Sequence, residues 1–335
     1  MSFKICVIGC GGIAFQMHGY AYKKYAALNS GTVLSACCDI DINKASGFAK
    51  TFGFQKHYTD YREMLKTEKP DAVCLNSPVN LTAAMSCEIL DAGFHLMLEK
   101  PPGRNRGEIE KILEAAQRAG QKGIIHQVAF NRRFIPVIDC LVRELRADNK
   151  PQDIQSISCE FFRVNRRDPD FCTTAIHGID TAAYIAGSNY RQVNFYYREM
   201  ADVIKGCGDF YLLAEFYTGA CAQLRFCPMS AVRLERYTVN AGDSTWIALL
   251  PYGDSIDSPG RLLCYRGDKL VSEVTGQEIC GSDEIFMTNG FWQEDSAFFD
   301  AVRAARQPAC DLNSGLQSVE ISDCIRKRER EYCSN

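Results

Sequence analysis

The sequence predicts an α/β N-terminal domain built on a doubly wound parallel sheet, followed by an α+β C-terminal domain with a large, open, mainly antiparallel sheet. Three observations predict this. Up to about residue 128, short apolar runs alternate with amphipathic stretches, the written form of repeated βαβ units. A glycine-rich segment, Gly9-Cys10-Gly11-Gly12, follows the first apolar run at once. Beyond Asn131 the runs lengthen and alternate residue by residue, as strands with one covered face do.

In order, the first domain offers strands at Phe3–Ile8, Val33–Cys38, Lys56–Tyr58, Ala72–Leu75, Phe94–Leu98 and Gly123–Val128, the third being the shortest. Gly31, Gly53, Gly93 and Gly120 follow periodic segments where a left-handed C-cap would end a helix. The second domain offers strands at Ile154–Arg163, Gln192–Arg198, Phe210–Tyr217, Ala220–Phe226, Val232–Asn240 and Thr245–Leu250. Helices are expected at Ala175–Ala186, Phe291–Arg306 and Ser314–Arg326. With no low-complexity linker between them, domains 1–128 and 129–335 are expected to join directly, with the site between them.

Composition narrows the function. A net charge of -3 gives no electrostatic reason for a nucleic-acid or anionic-membrane partner, so a small molecule is favoured. The N-terminal residues lack a signal-type segment and no later run is long and apolar enough to span a bilayer, which leads us to expect a cytoplasmic protein. Seventeen cysteines sit largely in apolar runs such as Ile5-Cys6-Val7, and no pair has the Cys-x-x-Cys spacing of a metal loop. They read as small buried hydrophobes.

Gly9-Cys10-Gly11-Gly12-Ile13-Ala14 lies between a strand and a helix and matches G-x-G-x-x-G/A, the fingerprint of a Rossmann dinucleotide site. The backbone there must turn tightly and approach a pyrophosphate with no Cβ in the way, at a helix N-terminus. Asp39 ends the second strand, where a carboxylate accepts both hydroxyls of an adenosine ribose and repels a 2′-phosphate, so NAD is expected over NADP. Its neighbour Asp41 reads as a turn aspartate. On the same carboxyl edge stand Asn76-Ser77-Pro78 after the fourth strand and Glu99-Lys100-Pro101-Pro102 after the fifth.

These motifs, with Ala92-Gly93-Phe94-His95, Phe130-Asn131-Arg132-Arg133-Phe134 and His177-Gly178-Ile179-Asp180, make the chain resemble the glucose–fructose oxidoreductase, inositol dehydrogenase and rhizopine-catabolism (Gfo/Idh/MocA) family over nearly its whole length. The resemblance implies hydride transfer at a carbinol carbon of a sugar or cyclitol, and dimers or tetramers through the exposed sheet face. It also implies that Lys100 hydrogen-bonds the reacting oxygen, that Glu99 helps hold the nicotinamide ribose and that His177 is the general acid/base. An ammonium beside a nascent alkoxide stabilises the charge that develops there, and an imidazole titrates near neutrality.

Many family members place an aspartate one turn before this histidine; here the position is Thr173. A threonine can hold a hydroxyl or water but not act as a carboxylate, so the pairing is absent unless Asp170 or Asp180 supplies it. Asp180 shares a helical face with His177 and is read either as orienting the imidazole or as a core or capping group. Asn131 is expected to contact substrate. Arg132, Arg133, Arg163, Arg166 and Arg167 suggest an acidic or phosphorylated sugar, or else ion pairs with Asp168, Asp170 and Glu160. His18, His57, His95 and His126 read as structural, although His18 follows the glycine loop closely. No metal spacing is present.

The leading expectation is therefore reversible, NAD-dependent oxidation of a secondary alcohol of a sugar, cyclitol or sugar acid by a homodimer or homotetramer. Two alternatives stay open: a redox-neutral elimination or glycosidic cleavage with tightly held NAD, and a non-catalytic nucleotide or sugar sensor.

Overall fold

The computed structural model describes residues 2–167, 170–200, 207–252 and 255–334, which leaves Asp168 of the arginine-rich segment outside the described residues. The chain divides into two compact units. The first runs through Phe130 and takes in Phe291–Val319; the second holds Asn131–Gly290 and the chain from Glu320 onward. Residues 129–335 therefore do not form one continuous block as expected. Phe298, Phe299 and Ala301 are the reason, because they are buried in the core that contains Phe3, Tyr22 and Tyr25.

The first unit carries β1 (Phe3–Ile8), β2 (Thr32–Cys38), β3 (Lys56–Tyr58), β4 (Ala72–Leu75), β5 (Leu96–Glu99) and β6 (His126–Ala129), in the parallel order β3-β2-β1-β4-β5-β6. All four residues of β4 and five of the six in β1 are buried, as strands covered on both faces must be. Because Ile8 pairs with both Cys38 and Leu75, the loops after β1, β2 and β4 emerge side by side. The order reverses at β1, the switch point where open α/β sheets bind ligands.

Helices α1 (Gly19–Leu28), α2 (Ile42–Phe52), α3 (Tyr61–Glu68), α4 (Val79–Asp91) and α5 (Arg106–Gly120) connect the strands. Asp41 caps α2 by accepting from the Asn43 amide at 2.9 Å. Gly53 and Gly93 are left-handed where the sequence requires it, each with φ of 86°. Gly120 departs from expectation: it is the last residue of α5, and the left-handed position is Gly123.

In the second unit β7 (Ile154–Val164), β8 (Tyr190–Glu199), β9 (Gly208–Phe216), β10 (Cys221–Ser230), β11 (Leu234–Ala241), β12 (Ser244–Leu249), β13 (Arg261–Arg266), β14 (Lys269–Thr275) and β15 (Glu331–Cys333) form one sheet, in the order β14-β13-β12-β11-β7-β10-β9-β8-β15. Among the described residues only the β7–β10 pair of this sheet is parallel. Apolar residues from α6 (Pro136–Asp148) and α7 (Cys172–Ala186) join one core with Phe161, Leu224, Phe226 and Trp246 of the sheet. Contact there is tight: a Cβ on Gly178 of α7 would stand 2.7 Å from the Phe226 ring. Leu213, Tyr196 and Tyr217 remain exposed.

The remaining helices are α8 (Gly276–Cys280), α9 (Ile285–Thr288), α10 (Phe291–Arg303) and α11 (Leu312–Arg326). Among the described residues no helix is long and apolar enough to cross a membrane.

Candidate active site

The glycine loop leaves β1 at Gly9, whose φ is 90° and whose missing Cβ would lie 2.2 Å from the Asn76 carbonyl oxygen, so no other residue fits. Gly11 and Gly12 face open space instead, as a surface approached by a ligand backbone-first requires. Helical hydrogen bonding starts there, with the Phe15 amide donating to the Gly11 carbonyl at 2.9 Å. The first amides of a helix have no partners within it and lie at its positive end. Ile13 is exposed and Ala14 buried.

Asp39 at the end of β2 is built into this loop. One carboxylate oxygen accepts from the Cys10 amide at 2.9 Å and the other from the Asp41 amide at 3.0 Å. The carboxylate is thereby aimed without using all its lone pairs, and Ile40 beside it is almost fully exposed. Asn76 reaches back to the Gly9 carbonyl at 3.5 Å, the Ser77 hydroxyl meets Thr82 at 3.0 Å and Pro78 leads into α4. The open backbone at Gly11 and Gly12 and the anchored Asp39 carboxylate are chemically suited to an adenine dinucleotide.

At the end of β5, Glu99 has a second set of partners. Its Oε2 accepts from the Lys100 amide at 3.0 Å and its Oε1 from His18 Nε2 at 2.9 Å. His18 is fully buried at the end of a π-helical turn, Ala14–His18, and its Nδ1 lies 2.9 and 3.0 Å from the two carboxylate oxygens of Asp295 in α10. Burial alone would strip the imidazole of its proton, but Asp295 and Glu99 outweigh it and hold His18 protonated well above its usual range. Burial likewise opposes ionisation of Glu99, yet His18 and Lys100 keep it below the usual carboxylate range. Asp295 is pushed up to about 6 by burial, against the pull of His18. Ligand atoms of His18, Glu294 and Asp295 lie within 4.8 Å of one another, but both His18 nitrogens are already committed to carboxylates. Lys100 itself is half-buried.

In the second unit His177 lies buried on α7, with Arg132 Nη1 donating to its Nε2 at 3.2 Å. A guanidinium has no acceptor, so this contact places the ring hydrogen on Nδ1 and the lone pair on Nε2. Arg132 also reaches Asn131 Oδ1 at 2.9 Å and grips Glu235 with two bonds, of 2.8 and 3.0 Å. Asn131 is buried and donates to the Asn289 carbonyl at 3.0 Å. Thr173 donates its hydroxyl to the Asp170 carbonyl at 3.1 Å.

Three expectations need correction. Arg163 is no open substrate clamp: it is buried, pairs with Glu235 and stacks 4.2 Å from the Tyr252 ring centroid. Arg133 forms a buried bidentate pair with Asp180, at 2.8 and 2.5 Å, which gives both side chains a place in the core. The suggested partners of the arginine rim also differ, since Glu160 pairs with Arg225 and Asp170 with Arg326. Sequence reading missed Asp295 and Glu235, and took His18 as merely structural. Its place directly after the glycine loop was the one available signal.

Residues 3–127 match the family described as "Oxidoreductase family, NAD-binding Rossmann fold" (GFO_IDH_MocA). The chain is 28% identical over 131 residues to D-glucoside 3-dehydrogenase of Escherichia coli K12, covering 39% of this chain and 35% of that one. It is 25% identical over 300 residues to 4-carboxy-2-hydroxymuconate-6-semialdehyde dehydrogenase of Sphingobium sp. SYK-6, covering 84% of each. It spans between 35% and 60% of the length of the first curated relatives it matches. A solved levoglucosan dehydrogenase, in complex with NADH and L-sorbose, shares the fold with a TM-score of 0.84 and 18% identity, each chain covered completely. The N-terminal domain is thus similar to the NAD-binding Rossmann domain of the GFO_IDH_MocA oxidoreductases, the family match ending at residue 127.

Proposed function

We propose that the protein is an NAD-dependent dehydrogenase that oxidises a secondary alcohol of a sugar, cyclitol or sugar acid, reversibly. The observation that carries this reading is the loop at Gly9, open over Gly11 and Gly12, with Asp39 anchored on its Cys10 amide. Asp39 favours NAD over NADP, and the apolar face of Ile40 suits an adenine. The nicotinamide, when bound, supplies the hydride acceptor.

The chain's own residues manage the proton. Lys100 donates to the reacting oxygen and stabilises the alkoxide charge as the hydride departs. His177 accepts the hydroxyl proton at Nε2, the nitrogen that now accepts from Arg132, so the substrate hydroxyl takes the place of that guanidinium hydrogen bond. Among the described residues Arg132 and Arg163 share the single Glu235 carboxylate, leaving surplus positive charge near His177. That surplus favours an acidic sugar within the class. Assembly as a homodimer or homotetramer through the face bearing Tyr196, Leu213 and Tyr217, and a cytoplasmic location, belong to the same reading.

The test is a redox screen with NAD and NADP against neutral sugars, inositols and uronates, followed by nicotinamide absorbance. NAD reduction with a uronate at higher kcat/KM than with its neutral sugar is expected, and His177→Asn should lower kcat by about 10²–10⁴-fold. Silence across the whole panel would refute the proposal.

A further inference from the structure

We propose that His18 is a positioning residue: its imidazolium bridges Asp295 and Glu99 and thereby fixes the corner that presents Lys100. The inference rests on the dehydrogenase reading and assigns to it a residue that no sequence motif required. Four groups form one continuous chain of hydrogen bonds. Asp295 of α10 takes Nδ1, Glu99 Oε1 takes Nε2, and Glu99 Oε2 takes the Lys100 amide. Each link is between 2.9 and 3.0 Å.

Stability alone does not account for this arrangement. Burying one cation and two carboxylates costs several kcal/mol per ion, and apolar side chains of similar volume often serve a core as well. The surroundings also hold the ring in one orientation. Tyr22 stacks on it at 5.8 Å between centroids and Phe291 meets it edge-on at 4.9 Å. The charged or titratable groups around it are Asp295 and Glu294 from α10, Glu99 and Lys100 from the β5 corner, Tyr22 from α1 and Cys74 from β4.

The π-helical turn contributes as well. Such a turn is wider than an α-turn and is frequent at functional sites, and here it ends on the residue whose ring meets both carboxylates. The helix that opens at the glycine loop is thus tied through one side chain to the strand end that carries the lysine. Because Glu99 spends an oxygen on each of two protein donors, its first role is to hold Lys100, with any ribose contact using the remaining lone pairs.

The experiment compares the full chain with His18→Phe, which fills the volume, and His18→Gln, which keeps polarity without charge. In the unaltered protein, histidine ¹⁵N spectra should show one ring, absent from both variants, that keeps both nitrogens protonated well above the ordinary 6.5. Both variants should lose about 100-fold in kcat while KM for NAD moves less than about 3-fold, the signature of a displaced reacting group. The Lys100 amine, ¹³C-methyl labelled and assigned with Lys100→Arg, should shift in both. Should the two variants fail to fold, Asp295→Asn keeps the His18–Glu99 contact and should lose about 10-fold. A ring that titrates as an ordinary histidine, or a folded His18→Gln protein with kcat within about 2-fold of the original, overturns the inference. If the unaltered chain oxidises no alcohol, the dehydrogenase reading fails, while the ring spectrum and the Lys100 shift still decide the positioning claim.

Discussion

Each unit buries a histidine among charged side chains, but His18 lies between two carboxylates whereas His177 faces the guanidinium of Arg132. The first environment favours the charged imidazole well above its usual range, which suits a fixed strut. The second keeps a lone pair on Nε2, which a group that must accept a proton needs. The same side chain meets neighbours of opposite sign, and the proposed dehydrogenase reading assigns it two different tasks accordingly. Histidine content alone therefore says little about which ring does chemistry.

The comparison is most directly broken at Glu235, the carboxylate that the guanidinium beside His177 shares with Arg163. Glu235→Gln leaves Arg132 and Arg163 buried with one carboxylate fewer and should cost about 3–5 kcal/mol, read from the urea midpoint. In the first unit, Lys100→Ala should lower kcat by about 10²–10³-fold with a small change in nucleotide affinity, measured by steady-state kinetics and NADH fluorescence. Asp39→Ser removes a charged acceptor from the cradle, so KM for NAD should rise about 10–100-fold while discrimination against NADP falls.

The smallest effect concerns a buried carboxylate with no part in the chemistry. Burial alone would raise the Glu68 carboxyl, but Tyr58, Lys56 and Ser35, at 2.6, 2.9 and 2.7 Å, hold it down to about 2. A depressed value stabilises the fold above the ordinary 4.5, and that contribution is lost as pH falls toward about 2. Glu68→Gln should cost about 1–2 kcal/mol at neutral pH and flatten the loss of stability in acid over that window, seen in urea midpoints against pH.

Much of this was legible before any coordinates. Strands such as Phe3–Ile8 and Ala72–Leu75 occur where the apolar runs place them, because a strand buried on both faces has nothing else to be. The strand Lys269–Thr275 escaped reading because five of its seven residues are exposed, so no burial period marks it. Helix α6 was passed over although its apolar positions are spaced for a covered face. The glycine loop is read from local backbone needs, Asp39 from its place at the end of the second strand, and the role of Lys100 from the family resemblance. Asp295 and Glu235 carry no such signal, since each earns its meaning from a partner far away in sequence, His18 in one case and Arg132 in the other.

The return of α10 to the first unit has a consequence for biosynthesis. As the ribosome delivers the polypeptide from its N-terminus, the six-stranded sheet can assemble long before Phe298 and Phe299 emerge to seal its apolar side. Until then Tyr22 and Tyr25 lack their aromatic cover and His18 lacks the Asp295 counter-charge. Completion of the first unit's core therefore waits on Phe291–Val319, which are synthesised only after the whole of Asn131–Gly290.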